Sequence, residues 1–297
     1  MDSPTMFDTN VAFAGITLHV DPINRDRTDT ADNVMAMFHE EQPLTWEVIH
    51  PSLEDALKRS RGDIGFLDVG TGSGVFAILV KKNYGNVPVL AIDKSDRAIA
   101  FAKSNALAND VAIGFRKETY GYQTARPGSC RAIGIYPPYH LYPNDEDIAL
   151  KIPQHARGGS DGQREFISQL HYASLHLSKE GILFFNQMCW GDDEGPDFLR
   201  YIPRIFPTAS FTWCNVFPRI STREFLEGVY AGRTEPTYRR YIEESTQLHP
   251  WLYYTVGIIT NDDKGEIKEA SHQVDLKGRS WKDRIVLHRE IAAHAWK

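Results

Sequence analysis

Residues 66–74 read Phe-Leu-Asp-Val-Gly-Thr-Gly-Ser-Gly, an apolar run that ends in an acid and opens into alternating glycines. Gly70, Gly72 and Gly74 allow a tight turn and close approach of backbone to a ligand. Asp68 stands just ahead of them, and the mostly apolar stretch Val75–Tyr84 suits a helix. Strand, glycine turn and helix are the parts of a nucleotide-binding half-fold. A dinucleotide fingerprint would put glycine or alanine at position 75, where this chain has Val75. Val87–Asp93 reads as a second buried strand ending in an acid, and a carboxylate at Asp93 can accept both hydroxyl protons of a ribose. Further on, Tyr136-Pro137-Pro138-Tyr139 makes a stiff segment carrying two aromatic rings, whose faces favour cations.

These residues carry a resemblance. Asp68, Gly70, Gly72 and Gly74 resemble the first motif of class I S-adenosylmethionine (SAM) methyltransferases. Tyr136–Tyr139 sits where amino-group methyltransferases bear Asn/Asp-Pro-Pro-Tyr/Phe/Trp. With Gly158–Gly162 and Gly181–Phe185 beyond it, the arrangement is similar to the release-factor glutamine methyltransferase family and its small-domain relatives over roughly residues 60–190. The resemblance implies SAM as cofactor. Gly70, Gly72 and Gly74 would admit it, Asp68 would help hold its amino-acid end, and Asp93 would bind its ribose. Glu118, or a neighbour (Lys117 or Thr119), would lie near the adenine. Tyr136, Pro137 and Tyr139, with Tyr142 as a further candidate, would face the sulfonium and the acceptor. In those enzymes the leading Asn or Asp accepts a hydrogen bond from the target amino group. Tyr136 replaces it here with an acceptor that is longer and differently directed.

The elements needed to position these residues alternate as a parallel sheet requires. The pattern gives strands at 64–69, 87–93, 111–116, 131–136 and 181–188, and helices at 75–84, 97–108 and 163–177. A helix near 196–205, a strand near 210–217 and a closing strand at 251–260 continue it. Ligands of such a fold bind beyond the carboxyl ends of the strands, the edge that Gly70, Asp93, Glu118 and Tyr136 share. The fold class is therefore α/β. A class I methyltransferase (Rossmann-like), mostly parallel seven-stranded sheet is expected, with helices on both faces. Residues 1–60 form an N-terminal extension and possible lid, with Arg27, Thr28 and His39 as lid candidates. Its elements are strand-like residues 11–20, a helix from Asp32 through Phe38, and a second from about Leu44 to Leu57 interrupted at Pro51. Residues 61–262 form the catalytic core. They include a helical insertion at about 221–250, opened by the capping-box pattern Ser221-Thr222-Arg223-Glu224. Residues 263–297 form a C-terminal extension.

A chain of 297 residues with 42% hydrophobic content can bury a large core. A net charge of −6 gives no general nucleic-acid footprint, so no nucleic-acid partner is expected. Cys130, Cys189 and Cys214 are too scattered for a zinc knuckle or a disulfide framework and are expected to be reduced and at least partly buried. No metal site is expected. No run approaches the ~18 apolar residues of a membrane span, and the acidic start is no secretion signal, so a cytoplasmic location is expected. His140, beside the proline motif, is the histidine best placed for chemistry.

Three activities fit. The leading one is methyl transfer to a nitrogen of a small molecule or a protein side chain. The substitution at Tyr136 also leaves room for a SAM-consuming lyase or cyclase that releases methylthioadenosine, for example by closing the aminobutyrate arm to azetidine-2-carboxylate. A non-catalytic SAM-binding protein is the third. The sequence sets neither the acceptor nor the oligomeric state.

Overall fold

The computed structural model describes residues 9–22, 34, 38, 40–120, 124–271 and 276–293. Strand-like residues 11–20 form a hairpin rather than one strand, β1 (Asn10–Phe13) and β2 (Ile16–His19), turned at Ala14 and Gly15 with positive φ. The open edge of β2 is satisfied by two amides, so it offers no free edge for pairing. Asn105 and Asn109 accept from the His19 and Thr17 amides at 2.8 and 2.9 Å and donate back to their carbonyls at 2.9 and 2.7 Å. Arg27, Thr28 and His39 lie outside the described residues, as does most of the helix expected from Asp32. Val34 and Phe38 are described, and both are buried.

One continuous helix follows, α1 (Gln42–Arg59), and Pro51 does not interrupt it. The reason is its side. Pro51 is exposed, while Trp46, Ile49, Leu53 and Leu57 are buried, so the missing N–H falls on the solvent face. Next come β3 (Ile64–Val69), α2 (Val75–Asn83), β4 (Val89–Asp93), α3 (Asp96–Ala108), β5 (Gly114–Lys117) and β6 (Cys130–Ile135). A smaller region contains β7 (His140–Leu141), α4 (Glu146–Lys151), a 3₁₀ turn (Gln154–Ala156) and β8 (Arg157–Gly159), with β7 and β8 paired. The core resumes with α5 (Arg164–His176), β9 (Leu177–Asp192), β10 (Gly195–Pro196), α6 (Phe198–Ile205) and β11 (Ser210–Asn215). The last part holds β12 (Ile220–Ser221), α7 (Thr222–Val229), α8 (Pro236–Leu248), β13 (Trp251–Thr260), β14 (Ile267–Glu269) and α9 (Trp281–Ala292).

The sheet order is β14-β11-β13-β9-β6-β3-β4-β5. Strands β5, β4, β3, β6 and β9 run parallel, while β13 is antiparallel to both β9 and β11. Seven of these strands are those the alternation predicts, and β14 adds a short, exposed edge. Period-2 alternation sorts the core into two layers. Phe66, Ala132 and Phe184 pack with α1, α2, α7 and α8 on one face. Leu67, Ile133 and Phe185 pack with α5 and α6 on the other. All three cysteines are free and buried, as expected.

The capping box anticipated at Ser221 does not form. Ser221 belongs to β12 and makes no side-chain cap bond, and the Thr222 amide donates to the Pro250 carbonyl instead at 3.0 Å. The capping box is at Ser280–Asp283, where it starts α9. That helix is no loose tail, since Arg289 donates to the Gly228 carbonyl of α7 and Trp281 packs edge-on against Phe225.

Candidate active site

The glycine turn hangs from two strands. After β3 ends, the amides of Gly70 and Thr71 donate to the Ile92 carbonyl of β4 at 2.9 and 3.0 Å. Gly70, Gly72 and Gly74 have φ of 72°, 54° and 86°, a region that side chains disfavour. The three differ in what surrounds them. A Cβ on Gly70 or Gly72 would meet nothing closer than 4.0 Å, so both border open space. A Cβ on Gly74 would lie 3.1 Å from that of Ala102, so this glycine allows α2 to approach α3. Gly74 thus serves packing of α2 against α3, between Ser73 and Val75, which line the cleft.

Two carboxylates brace this turn. Asp68 is 2% exposed, and its Oδ2 accepts from Thr71 Oγ1 at 2.6 Å and from the Ala77 amide at 3.2 Å. Burial pushes its carboxyl up to about 6. Asp93 accepts from the Gly72 amide through Oδ2 at 3.0 Å and from the Ser95 amide through Oδ1 at 2.9 Å. Burial raises its carboxyl as well. Each Asp93 oxygen keeps a lone pair for a further donor, and both acids border the cleft. Glu118 borders it too; its amide donates to the Asp93 carbonyl at 2.8 Å and its Oε1 accepts from Thr124 at 2.6 Å. Thr119 is beside it, whereas Lys117 turns away to Asp96.

Tyr136, Pro137, Pro138 and Tyr139 continue the same wall. The Tyr136 ring stacks on Phe76 with centroids 4.5 Å apart and meets Phe184 edge-on. Its hydroxyl lies toward Thr45, buried and outside hydrogen-bonding geometry, and burial holds the phenol well above its ordinary pKa. The residue thus lines the cleft while its oxygen is in the core. Tyr139 is tied differently. Its hydroxyl donates to Glu41 Oε1 at 2.5 Å and accepts from Arg284 Nη2 at 2.6 Å, and Arg284 Nη1 donates to the same Glu41 oxygen. Tyr142 lies against His140, with ring centroids 6.4 Å apart and an interplanar angle of 27°.

Beyond Tyr139 the cleft is walled by Glu41, His140, His155, Ala156, Arg284, Leu287, His288 and Ile291. Arg284 is fully buried, with Glu41 and Glu40 as counter-ions and the rings of Tyr139 and Tyr254 beside its guanidinium. Sequence reasoning missed Glu41, Arg284 and His288. A faint signal was present: Arg284 and His288 share the face of α9 that also carries Trp281, Leu287 and Ile291. Among the described residues no helix is long and apolar enough to cross a membrane, and no group of three His, Cys, Asp or Glu is arranged to hold a metal.

Residues 52–160 match the family described as Methyltransferase small domain. The chain is 44% identical over 75 residues to the release factor glutamine methyltransferase of Flavobacterium psychrophilum, covering 25% of this chain and 26% of that protein. It is 40% identical over 87 residues to the ribosomal protein L11 methyltransferase of Allorhizobium ampelinum, covering 29% and 28%. The chain thus spans about a quarter of the length of the curated relatives it matches. Among solved structures, geranyl diphosphate C-methyltransferase from Streptomyces coelicolor A3(2) superposes with a TM-score of 0.43 at 13% identity, covering 80% of this chain and 86% of that one. The run β5-β4-β3-β6-β9-β13-β11 with β13 reversed is the class I methyltransferase sheet. The cofactor that this domain's cleft suits is SAM, since Gly70 and Gly72 leave space where side chains would stand and Asp93 and Glu118 stand beyond them.

Proposed function

We propose that the chain is a SAM-dependent methyltransferase acting on a nitrogen of a small molecule or a protein side chain. The observation that supports it best is one continuous wall, from the glycine turn through Tyr136–Tyr139 into the pocket closed by α9. When bound, SAM supplies a methyl already activated on a sulfonium, so the protein has mainly to align, shield and discharge. Gly70 and Gly72 admit the cofactor, Asp93 offers lone pairs to its ribose and Glu118 flanks its base. The Tyr136 ring forms the wall beside the reacting centre. Pro137 and Pro138 fix the backbone there and contribute carbonyls but no amide hydrogens. Tyr139, locked by Arg284 and Glu41, separates that centre from the deeper pocket. The named relatives act on a release factor glutamine and on ribosomal protein L11, which favours a protein side chain among the acceptors worth testing first.

Mass spectrometry of SAM incubated with the protein, alone and with candidate acceptors, tests this reading. S-adenosylhomocysteine that forms only with an acceptor, together with an acceptor 14 mass units heavier, supports it. Methylthioadenosine formed without an acceptor would replace it with lyase or cyclase chemistry. Tight binding without turnover across the acceptor set would leave a SAM-binding protein.

A further inference from the structure

Glu41, the N-cap residue of α1, is held by only one of its two carboxylate oxygens. Its Oε1 accepts from the Tyr139 hydroxyl and from Arg284 Nη1, both at 2.5 Å. An arginine often grips a carboxylate with two prongs, one to each oxygen. Here the second prong, Nη2, goes to the Tyr139 hydroxyl instead, so both tethers converge on Oε1. Among the described residues Oε2 has one contact, from Gln42 Nε2 at the limiting distance of 3.4 Å. It therefore keeps lone pairs for a donor from outside. Glu41 and Gln42 both border the cleft, and the Glu41 side chain is not sealed off, since 7% of it stays exposed. Tyr136, whose oxygen is buried in the core, offers no such acceptor.

The charge of the wall is a second observation. It carries Glu41, Asp68, Asp93, Glu118 and Glu165 against Lys94 and Arg284. Such an excess of acid draws cationic guests and repels carboxylates and phosphates. Methyl transfer from a sulfonium also moves positive charge onto the accepting atom. A carboxylate fixed beside that atom binds the transition state more strongly than the uncharged nucleophile.

We propose that Glu41 Oε2 receives the amino group of the acceptor, and that the acceptor is a primary alkylamine. The amine sheds one proton to water before it reacts. It then donates one N–H to Oε2 while its lone pair faces the methyl. The lone pair forms the N–C bond, the C–S pair passes to sulfur, and the charge moves from sulfonium to nitrogen. Both N–H bonds survive, so Glu41 takes no proton and holds the alkylammonium product. Tyr139 and Arg284 are positioning residues that fix the carboxylate through Oε1. An amide suits this site less: its nitrogen lone pair is shared with the carbonyl, and transfer to it needs a base for the proton released. A free amine and the side-chain amine of a protein share the required chemistry.

This inference rests on the methyltransferase reading of the cleft, and the tests separate the two. Calorimetry with S-adenosylhomocysteine bound compares butylamine, butyramide and butyrate, which are nearly equal in size. Butylamine should bind about tenfold or more tighter than butyramide, with butyrate weakest. Equal affinities, butyramide ahead, or no butylamine binding would overturn the proposal. Nuclear Overhauser contacts from bound butylamine to the Tyr139 ring are expected, and binding without them would place the amine elsewhere and refute it. Glu41→Gln keeps an oxygen for Tyr139 and Arg284 but loses the charge. The preference for butylamine over butyramide should shrink about tenfold, with S-adenosylhomocysteine binding marking the variant as folded. An unchanged preference in the folded variant would remove Glu41 from the acceptor site; if the variant does not fold, the wild-type series decides. With SAM, mass spectrometry should find the methyl on butylamine or on the lysine of a short peptide, which tells a free amine from a protein side chain. Methylation of butyramide alone would overturn the proposal while keeping the methyltransferase reading. Failure of the wild-type protein to bind S-adenosylhomocysteine would count against that reading instead.

Discussion

His140 and His288 meet in the cleft wall with their Nδ1 atoms 2.7 Å apart, and this buried pair makes folding sensitive to acid. The size of the effect follows from His140. Its folded pKa lies at about 3, against an ordinary value of 6.5. Below 6.5 the unfolded chain gains a proton at this ring that the folded chain does not. A depressed folded pKa thus gives stability that is present above pH 6.5 and is lost as pH falls toward 3. From pH 7 to pH 5 the difference in binding amounts to about 2 kcal/mol for this ring alone, or about a 30-fold fall in the folded-to-unfolded ratio. His288 is shifted in the same direction and adds to the loss. Carboxylates also titrate in acid, so the observable is a difference. Urea unfolding of the wild type and of His140→Gln at pH 7, 6 and 5 should show the variant destabilised at pH 7 and the gap narrowing by about 2 kcal/mol or more at pH 5. Parallel stability curves would refute the reasoning, because they would mean that His140 titrates alike in both states.

Arg284→Met should lower stability by about 3–5 kcal/mol, since it leaves Glu40 and Glu41 buried against a lost cation; denaturation at wild-type midpoint would contradict this. Asp93→Ala should weaken calorimetric SAM affinity by about 1.5–3 kcal/mol, the scale of a hydrogen bond to a charged group, and unchanged affinity would remove Asp93 from the site. Gly72→Ala and Gly74→Ala both carry the strain of positive φ, but the Gly74 variant also presses on Ala102 and should be less stable by a further ~1–3 kcal/mol, with the Gly72 variant losing more SAM affinity. Tyr136→Phe should match or slightly exceed wild-type stability because the buried hydroxyl has no hydrogen bond to lose, whereas Tyr136→Ala removes the stack on Phe76 and should cost about 3–5 kcal/mol in a melt.

Much of the fold was legible in the chain because its signals are local. Ile64–Val69 and Trp251–Thr260 are strands at the predicted bounds, since β-branched and apolar runs broken by turn residues need no distant partner to be recognised. Gly70 and Gly72 announced a turn bordering open space for the same reason: only a positive φ asks for glycine there. Where one local pattern had two physical uses, the sequence could not choose. Gly74 continues the alternation of Gly70 and Gly72, yet its neighbour is a helix. Pro51 breaks a helix on paper, but its exposed side made it harmless. Ser221 had the letters of a cap, and strand pairing claimed it first.

The acceptor side of the cleft belongs to tertiary structure alone. Tyr136 could be located from its motif, but whether its hydroxyl faces a ligand or the core depends on Phe76 and Thr45, which flank it from other helices. Glu41, Tyr139 and Arg284 are spread over more than two hundred positions, and only the return of α9 to the sheet edge brings their charges together. His140 was a lone histidine until His288 met it across 148 residues. Sequence periodicity encodes which face of an element is buried. Which buried polar groups will share a proton is set by contacts that no period records, and folding decides them.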